Sequence, residues 1–170
     1  MRWFWIDRFE EFERGRRAVA VKAIALGEEQ LEGYMPGFPI MPHSLIIEGL
    51  AQTGGIIVSE YHHFQRPTVL AKIGKAVFHG LAQPGDVLRY TAEVQSLQTD
   101  GGMVQGTAHV GDRLQAEVDL FFACLDQDQL GGNVFDPRDL RTMLCALRLF
   151  EVGRQSDGSP IEFPAYLLEE

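Results

Sequence analysis

The sequence predicts an α+β fold in which an antiparallel sheet wraps round one long central helix, with a further helix near the C-terminal end. Two observations favour this fold. Residues 44–61 are apolar around nearly the whole helical circumference, which is typical of a helix buried on all sides. Residues 87–97 and 113–125 alternate apolar and polar side chains, as strands with one core face and one polar face do.

Composition and charge narrow the class of protein. The chain has 170 residues, is 45% hydrophobic and 23% charged, and has a net charge of −9, which argues against nucleic acid or an anionic membrane as partner. We find neither a signal peptide nor an apolar run of membrane-spanning length. Cys124 and Cys145 lack any metal-ligand or Cys-x-x-Cys spacing, so we expect buried, reduced thiols in a cytoplasmic protein without a metal site.

The N-terminal third contains the most unusual stretch. Residues 3–12 are expected to form a short helix or an edge segment, and residues 17–26, rich in Ala and Val, a strand. The loop 33–42 contains three prolines and two glycines. The prolines restrict the backbone angles, so we expect the loop to keep one shape without forming a helix or a strand. Pro42 suits the first turn of the following helix, which we expect from about Ser44 to Tyr61.

The rest of the chain predicts strands and then a terminal helix. Turn signals at 84–86, 100–102 and 111–112 divide one long antiparallel meander, with expected strands at 67–79 (single or bent), 87–97, 103–110 and 113–125. After a linker at 126–135, Asp136 caps a predicted amphipathic helix that reaches about Phe150, followed by coil at 153–164. We therefore predict a domain at 1–125 and a C-terminal extension at 126–170 whose helix packs on that domain.

One motif pair is specific enough to indicate a family. Residues 36–42, Pro-Gly-Phe-Pro-Ile-Met-Pro, are followed by residues 45–52, Leu-Ile-Ile-Glu-Gly-Leu-Ala-Gln. In order and spacing they resemble the active-site loop and central helix of the 3-hydroxyacyl-[acyl-carrier-protein] dehydratases, which have a hot-dog fold. Further similar segments extend the resemblance over roughly residues 5–125, namely 5–8, 15–22, 73–78 and 84–86.

The resemblance implies a hydro-lyase of fatty acid biosynthesis. Such an enzyme removes water from a 3-hydroxyacyl thioester and gives the trans-2-enoyl product. The acyl group is carried by the phosphopantetheine of acyl carrier protein or of CoA, and no other cofactor is needed. The family also implies a homodimer or a trimer of dimers, in which a loop His of one subunit faces a helix carboxylate of the other.

The candidate catalytic residues follow from the matched positions, and one departs from the family. Glu48 matches the helix carboxylate and would protonate or orient the leaving hydroxyl, with Gln52 one turn on to hold it. Tyr34 stands where the family has its catalytic His, and either binds or orients a hydroxyl or is a core or interface aromatic. His43 replaces a family Gly, and either substitutes for the missing base or is an ordinary residue at a helix start.

The expected substrate-binding residues are Gln52, Pro42, Pro39, Gly37 and Phe78. Two other functions stay open beside the dehydratase. Hot-dog thioesterases use a helix carboxylate to activate water, and a non-catalytic acyl-binding protein could keep the fold after losing its base. The proline-rich loop favours the dehydratase, whereas Tyr34 favours the non-catalytic alternative.

Overall fold

The computed structural model describes residues 4–35, 37–126 and 136–168, which form a seven-stranded sheet wrapped round one long helix. The elements in chain order are β1 (Arg8–Glu13), β2 (Arg17–Ala23), α1 (Glu29–Glu32), α2 (His43–Tyr61), β3 (Thr68–Phe78), β4 (Val87–Gln98), β5 (Gly101–Val110), β6 (Arg113–Cys124), α3 (Pro137–Ala146), α4 (Leu149–Val152), β7 (Gly153–Arg154) and a 3₁₀ helix (Ala165–Leu167). The predicted α+β fold is confirmed.

The sheet has the strand order β3-β6-β5-β4-β2-β1-β7. All neighbours are antiparallel except the short β7, which runs parallel to β1. Strands β4, β5 and β6 form a meander as predicted, but the prediction that the strand at 67–79 belongs to the same meander is wrong, because β3 does not pair with β4. Strand β3 lies at one edge, where it pairs with β6 and bends at two register shifts, next to Ala71 and Gly74.

Helix α2 lies against the concave face of this sheet. Ile46, Leu50 and Ile57 are fully buried beneath β4, β5 and β6, and each contributes roughly 1.5–3 kcal/mol of transfer free energy. Gly49 permits a close approach, because a Cβ there would lie 2.5 Å from the ring of Tyr90. The glycines of this helix therefore mark the places where the sheet packs closest.

The N-terminal segment is a strand rather than a helix. In β1, Phe9 and Phe12 point into the core and meet edge to face with ring centroids 5.3 Å apart. Between β2 and the loop, the polar residues 27–32 include the one-turn helix α1, which the sequence pattern does not predict. Its single buried residue, Leu31, attaches that turn to the core.

The C-terminal helix is shorter than predicted. Asp136 caps α3 as expected, since its side chain accepts a hydrogen bond of 2.9 Å from the backbone N–H of Arg138. The helix ends at Ala146 and not near Phe150, because Arg148 takes a left-handed φ of 59° before α4 begins. The prediction of one continuous helix is therefore wrong.

The C-terminal segment adds to the core and to the sheet. Leu144, Leu147 and Leu149 belong to the same buried cluster as α2, and the carbonyl of Leu147 accepts a 2.9 Å hydrogen bond from the N–H of Phe9. The segment expected to be coil from residue 153 begins with β7, which covers the β1 edge. Most of the predicted linker, 127–135, lies outside the described residues, and the domain division at 125 stays a prediction.

The turn after α2 is held by the far end of the chain. His63 and Phe64 have left-handed φ values of 54° and 57°. The hydroxyl of Tyr166 donates to their carbonyl oxygens at 3.2 and 2.8 Å. Nearby, Arg14 of the β1–β2 turn lies 3.5 Å from the buried carboxylate of Glu60. Three separate parts of the chain thus meet at this end of α2.

Two remaining expectations concern cysteines and membranes. Cys124 is buried as predicted, but Cys145 is exposed on α3, where the apolar stripe of that helix faces away from it. The prediction of two buried thiols is therefore half wrong. Within the described ranges, we find no helix that is both long and apolar enough to cross a membrane.

Candidate active site

The loop before α2 and the start of this helix form a fixed unit. The N–H of Met41 donates to the carbonyl of Ala82 at 2.8 Å, which ties the loop to the segment after β3. Pro42 lies directly before the first helical residue, and its carbonyl accepts the first helical hydrogen bonds, from Leu45 and Ile46. The N–H groups ahead of these bonds have no helical acceptor, so this helix start can polarise a carbonyl oxygen.

Glu48 is half-buried on α2 and held by a short chain of hydrogen bonds. Its Oε1 accepts a 3.0 Å hydrogen bond from Nε2 of Gln52, one turn later. The Oε1 of Gln52 in turn accepts from the backbone N–H of Trp5 at 2.9 Å. The N-terminal segment therefore fixes the amide of Gln52, and the amide fixes one oxygen of Glu48.

The side chain of His43 packs against the end of β3. Its ring stacks on Phe78 with centroids 4.0 Å apart and planes 6° from parallel. Its Nε2 is buried and has no hydrogen-bond partner among the residues that the structure describes. Five helical residues correspond to about 140° of rotation, so the side chains of His43 and Glu48 leave the helix in different directions. No hydrogen bond or ion pair joins the two within the described chain.

Tyr34 lies on the exposed part of the loop. Its side chain is 51% exposed, and its neighbours Met35 and Phe38 are exposed as well. Gly37 takes a φ of 79°, a conformation that strains any other residue, and Pro39 after it is half-buried. Within one chain the structure does not bring Tyr34 into hydrogen-bond contact with Glu48. Pro36 lies outside the described residues.

One buried polar group near this site is not singled out by the sequence. Tyr90 of β4 is fully buried, its ring end lies over Gly49 next to Glu48, and its hydroxyl has no partner in the part of the chain described. Burial raises the pKa of Tyr90, so this hydroxyl stays protonated. Tyr90 belongs to the alternating pattern of residues 87–97, and nothing in that pattern distinguishes it from its apolar neighbours.

Comparisons with known proteins give the family context. Residues 3–119 match the family described as FabA-like domain. The chain is 40% identical over 119 residues to "3-hydroxyacyl-[acyl-carrier-protein] dehydratase FabZ" of Pelotomaculum thermopropionicum. The aligned region covers 69% of this chain and 85% of that protein. The chain is 41% identical over 122 residues to the protein of the same name from Symbiobacterium thermophilum, covering 71% and 86%.

Solved structures are similar in fold. Conserved protein PA5202 from Pseudomonas aeruginosa matches with a TM-score of 0.58 and 22% identity, covering 69% of this chain and 87% of that one. The protein smu.793 from Streptococcus mutans, solved with acetyl CoA, matches with a TM-score of 0.59 and 14% identity, covering 74% and 93%. At these identities the likeness concerns the fold alone.

Proposed function

This chain belongs to the family of FabA-like domains, and from this premise we propose that it is a hydro-lyase that dehydrates 3-hydroxyacyl thioesters in fatty acid biosynthesis. The family resemblance drawn from residues 5–125 is confirmed over nearly the same span. The observation that carries the proposal is the pair of Glu48 and Gln52 on α2. Their hydrogen bond of 3.0 Å leaves a carboxylate oriented beside a helix start that can bind a carbonyl oxygen.

The proposed reaction breaks two bonds of the substrate. A base takes the proton from C2, and the hydroxyl on C3 leaves as water with a proton from Glu48. The N–H groups at the start of α2 stabilise the negative charge that develops on the thioester oxygen. Gln52 keeps the Glu48 carboxyl in one orientation while the proton is transferred. These steps use side chains and backbone of the protein, and the acyl group stays on the phosphopantetheine of acyl carrier protein or CoA.

The remaining candidates are assigned to substrate positioning. Gly37, Pro39 and Pro42 fix the course of the loop that leads to the helix start. Phe78 and the imidazole stacked on it form an apolar wall beside that start, which suits the methylene groups of an acyl chain. The buried Nε2 of His43, which has no hydrogen-bond partner among the described residues, supports His43 as the base for the C2 proton or as a ligand of a substrate oxygen. The exposed hydroxyl of Tyr34 supports the same kind of role from the loop.

Assembly of two hot-dog chains along β3 is part of the proposal. Leu70 and Ile73 are 38% and 42% exposed although they pair with the buried Phe122 and Leu120 of β6. A second chain at this edge would cover both side chains. The expected homodimer, the trimer of dimers and the cytoplasmic location remain proposals that rest on the family.

The test is an assay of the purified protein with 3-hydroxyacyl thioesters of several lengths, on acyl carrier protein and on CoA. Enoyl product and free thiol are followed together. Glu48→Gln is expected to lower enoyl formation by roughly 100-fold or more, because it removes the proton donor. Glu32→Gln, an exposed acid near the loop, is the matched control and should leave the rate unchanged. Equal rates for wild type and Glu48→Gln would refute the role of Glu48.

Two outcomes of the same assay correspond to the alternatives. Release of free thiol without enoyl product would identify a thioesterase. Binding of acyl ligand without either product would identify a non-catalytic acyl-binding protein, which the tyrosine at position 34 favours because a phenol is a poor base at neutral pH. His43→Ala separates the candidates for the base, since loss of activity there supports a relocated imidazole.

A further inference from the structure

Gln52 connects the candidate catalytic carboxylate to the N-terminal segment of the chain. Its amide nitrogen Nε2 donates to Oε1 of Glu48 at 3.0 Å, and its amide oxygen accepts from the backbone N–H of Trp5 at 2.9 Å. We find no hydrogen bond to the other oxygen of Glu48, Oε2, within the described residues. The two oxygens of this carboxyl group are therefore not equivalent.

The N–H of Trp5 belongs to a segment that is anchored on the sheet. Ile6, the next residue, is buried in the core. The N–H of Asp7 donates to the carbonyl of Val21 at 2.7 Å, and the Asp7 carboxylate accepts from the N–H of Ala23 at 2.7 Å. Strand β2 thus holds the chain at two points just after Trp5, so the position of this N–H is set by the sheet and not by helix α2.

The backbone N–H of Trp5 determines which way the amide of Gln52 points. A backbone N–H can only donate, so the amide atom that faces it has to be the oxygen. The NH₂ group of Gln52 consequently faces Glu48. The reversed amide would place its NH₂ group against the N–H of Trp5, where two donors face each other and a hydrogen bond is lost.

This orientation matters most while Glu48 is protonated. A charged carboxylate attracts the NH₂ group of Gln52 without help from another residue. A protonated carboxyl group can also donate its O–H to an amide oxygen, so by itself it would accept either orientation of the amide. In the reversed orientation the acidic proton is bound to Gln52 and is withheld from a leaving hydroxyl. In the state that has to give up a proton, the amide is therefore held by the N–H of Trp5.

We propose that Trp5 is a positioning residue of the dehydration reaction, because its backbone N–H keeps the amide oxygen of Gln52 turned away from Glu48. Oε1 of Glu48 then remains a hydrogen-bond acceptor in both protonation states, and Oε2 carries the proton that goes to the departing hydroxyl. The inference rests on the dehydratase function proposed above and assigns the proton of that reaction to one atom.

The proton transfer balances as follows. The base takes the proton from C2, and the electron pair of that C–H bond forms the double bond between C2 and C3. The bond between C3 and its oxygen breaks, and its electron pair leaves with the oxygen. This oxygen takes the proton from Oε2 of Glu48 and departs as water, while the electron pair of the broken O–H bond stays on the carboxylate. Gln52 donates to Oε1 throughout, so the new charge on Glu48 is stabilised as it forms.

The test removes one backbone hydrogen-bond donor and leaves every side chain in place. The α-hydroxy analogue of tryptophan at position 5 keeps the indole and replaces the amide N–H by an ester oxygen. The same exchange at Phe9 is the matched control, because its N–H also donates at 2.9 Å, to the carbonyl of Leu147. The kcat and KM for enoyl formation from a 3-hydroxyacyl thioester are measured for both esters and for wild type.

The ester at Trp5 is expected to lower kcat about tenfold and to change KM less than about twofold, because substrate still binds while the proton is misdirected. The ester at Phe9 should lower the melting temperature and leave kcat unchanged. Equal kcat values for the Trp5 ester and wild type would overturn the proposal, as would equal losses of kcat in the two esters.

A second variant shows whether Trp5 acts through Gln52. Gln52→Met keeps an unbranched side chain of similar length but has no amide, so it should lower kcat by a similar factor. In this variant the ester at position 5 should change kcat less than about twofold, since no amide is left to orient. Losses of kcat that multiply would show that the N–H of Trp5 acts independently of Gln52, and would overturn the proposal. Circular dichroism checks that each protein folds.

Heteronuclear NMR separates this inference from the proposed function. The side-chain NH₂ signals of Gln52, identified by their loss in Gln52→Met, should move towards those of a free amide in the Trp5 ester and not in the Phe9 ester. Signals that the Trp5 ester leaves unchanged would overturn the proposal and leave the dehydratase function standing. A wild-type protein with the oriented amide and no enoyl product would refute the dehydratase function, and with it the role of the proton on Oε2.

Discussion

Glu60 gives the stability of this protein a pH dependence that can be calculated from the structure. The residue lies in the last turn of α2, where its carboxylate is near the negative end of the helix, and it is only 2% exposed. Its charged partner is Arg14 at 3.5 Å, and its Oε2 has no hydrogen-bond partner in the described residues. Burial raises the pKa of Glu60 from 4.5 to about 7, against the opposing effect of the Arg14 charge.

The direction of the effect follows from linkage. The folded protein holds the Glu60 proton more tightly than the unfolded chain, so the stabilisation is complete below pH 4.5 and is lost as the pH rises through about 7. The rise in the pKa of Glu60 from 4.5 to about 7 corresponds to about 3 kcal/mol in the free energy of unfolding. Glu60→Gln keeps the shape and has no charge to bury. Its stability relative to wild type should therefore increase by about 3 kcal/mol across this pH range.

The assay is urea unfolding of wild type and Glu60→Gln at a series of pH values, plotted as the difference in free energy of unfolding. Subtracting the free energy of unfolding of wild type from that of the variant at each pH cancels the contribution of all other titrating groups. Glu93→Gln is the control, since it removes a carboxylate whose side chain is 57% exposed in the folded state and not one from the core. A curve for Glu60→Gln that is flat, or that falls as the pH rises, would refute the reasoning, because Arg14 would then hold the charged form.

Two further changes test packing. Gly49→Ala should destabilise the protein by about 1–3 kcal/mol in thermal unfolding, because the new Cβ would lie 2.5 Å from the ring of Tyr90. Gly33→Ala is the control and should not destabilise the protein, since a Cβ at Gly33 would meet nothing within 4 Å. Equal melting temperatures for the two variants would contradict this packing. Leu144→Ala should lower the free energy of unfolding by about 2–5 kcal/mol while the protein still unfolds in one cooperative transition. Leu168→Ala, at an exposed leucine, should change it little. A separate early transition for Leu144→Ala would show that α3 is not part of the same core.

The sequence predicts those parts of the fold whose periodicity is strong. Helix α2 and strands β4 to β6 have long apolar patterns, so their bounds differ from prediction by two residues at most. The break between α3 and α4 is invisible in the pattern. The carbonyl of Leu147 bonds to the N–H of Phe9, and Arg148 then leaves the helical conformation. Strand β7 has two residues and depends on β1, so a local pattern cannot show it.

For the candidate site, the spacing of residues along the sequence predicts contacts within one helix only. The hydrogen bond between Glu48 and Gln52 follows from their i, i+4 spacing. The environment of His43 does not, because its ring packs on Phe78, a residue of another element. Likewise, the exposure of Tyr34 depends on how the loop rests on the segment after β3.

The hydroxyl of Tyr166 bonds to the backbone carbonyls of His63 and Phe64, which lie 103 and 102 residues earlier in the chain. During synthesis on the ribosome, α2 and the meander are complete well before residue 166 has been added. The left-handed turn that leads into β3 therefore forms without these two hydrogen bonds and gains them only after residue 166 has been added. The turn that leads into the edge strand β3 is thus fixed in place later than the meander that this strand flanks.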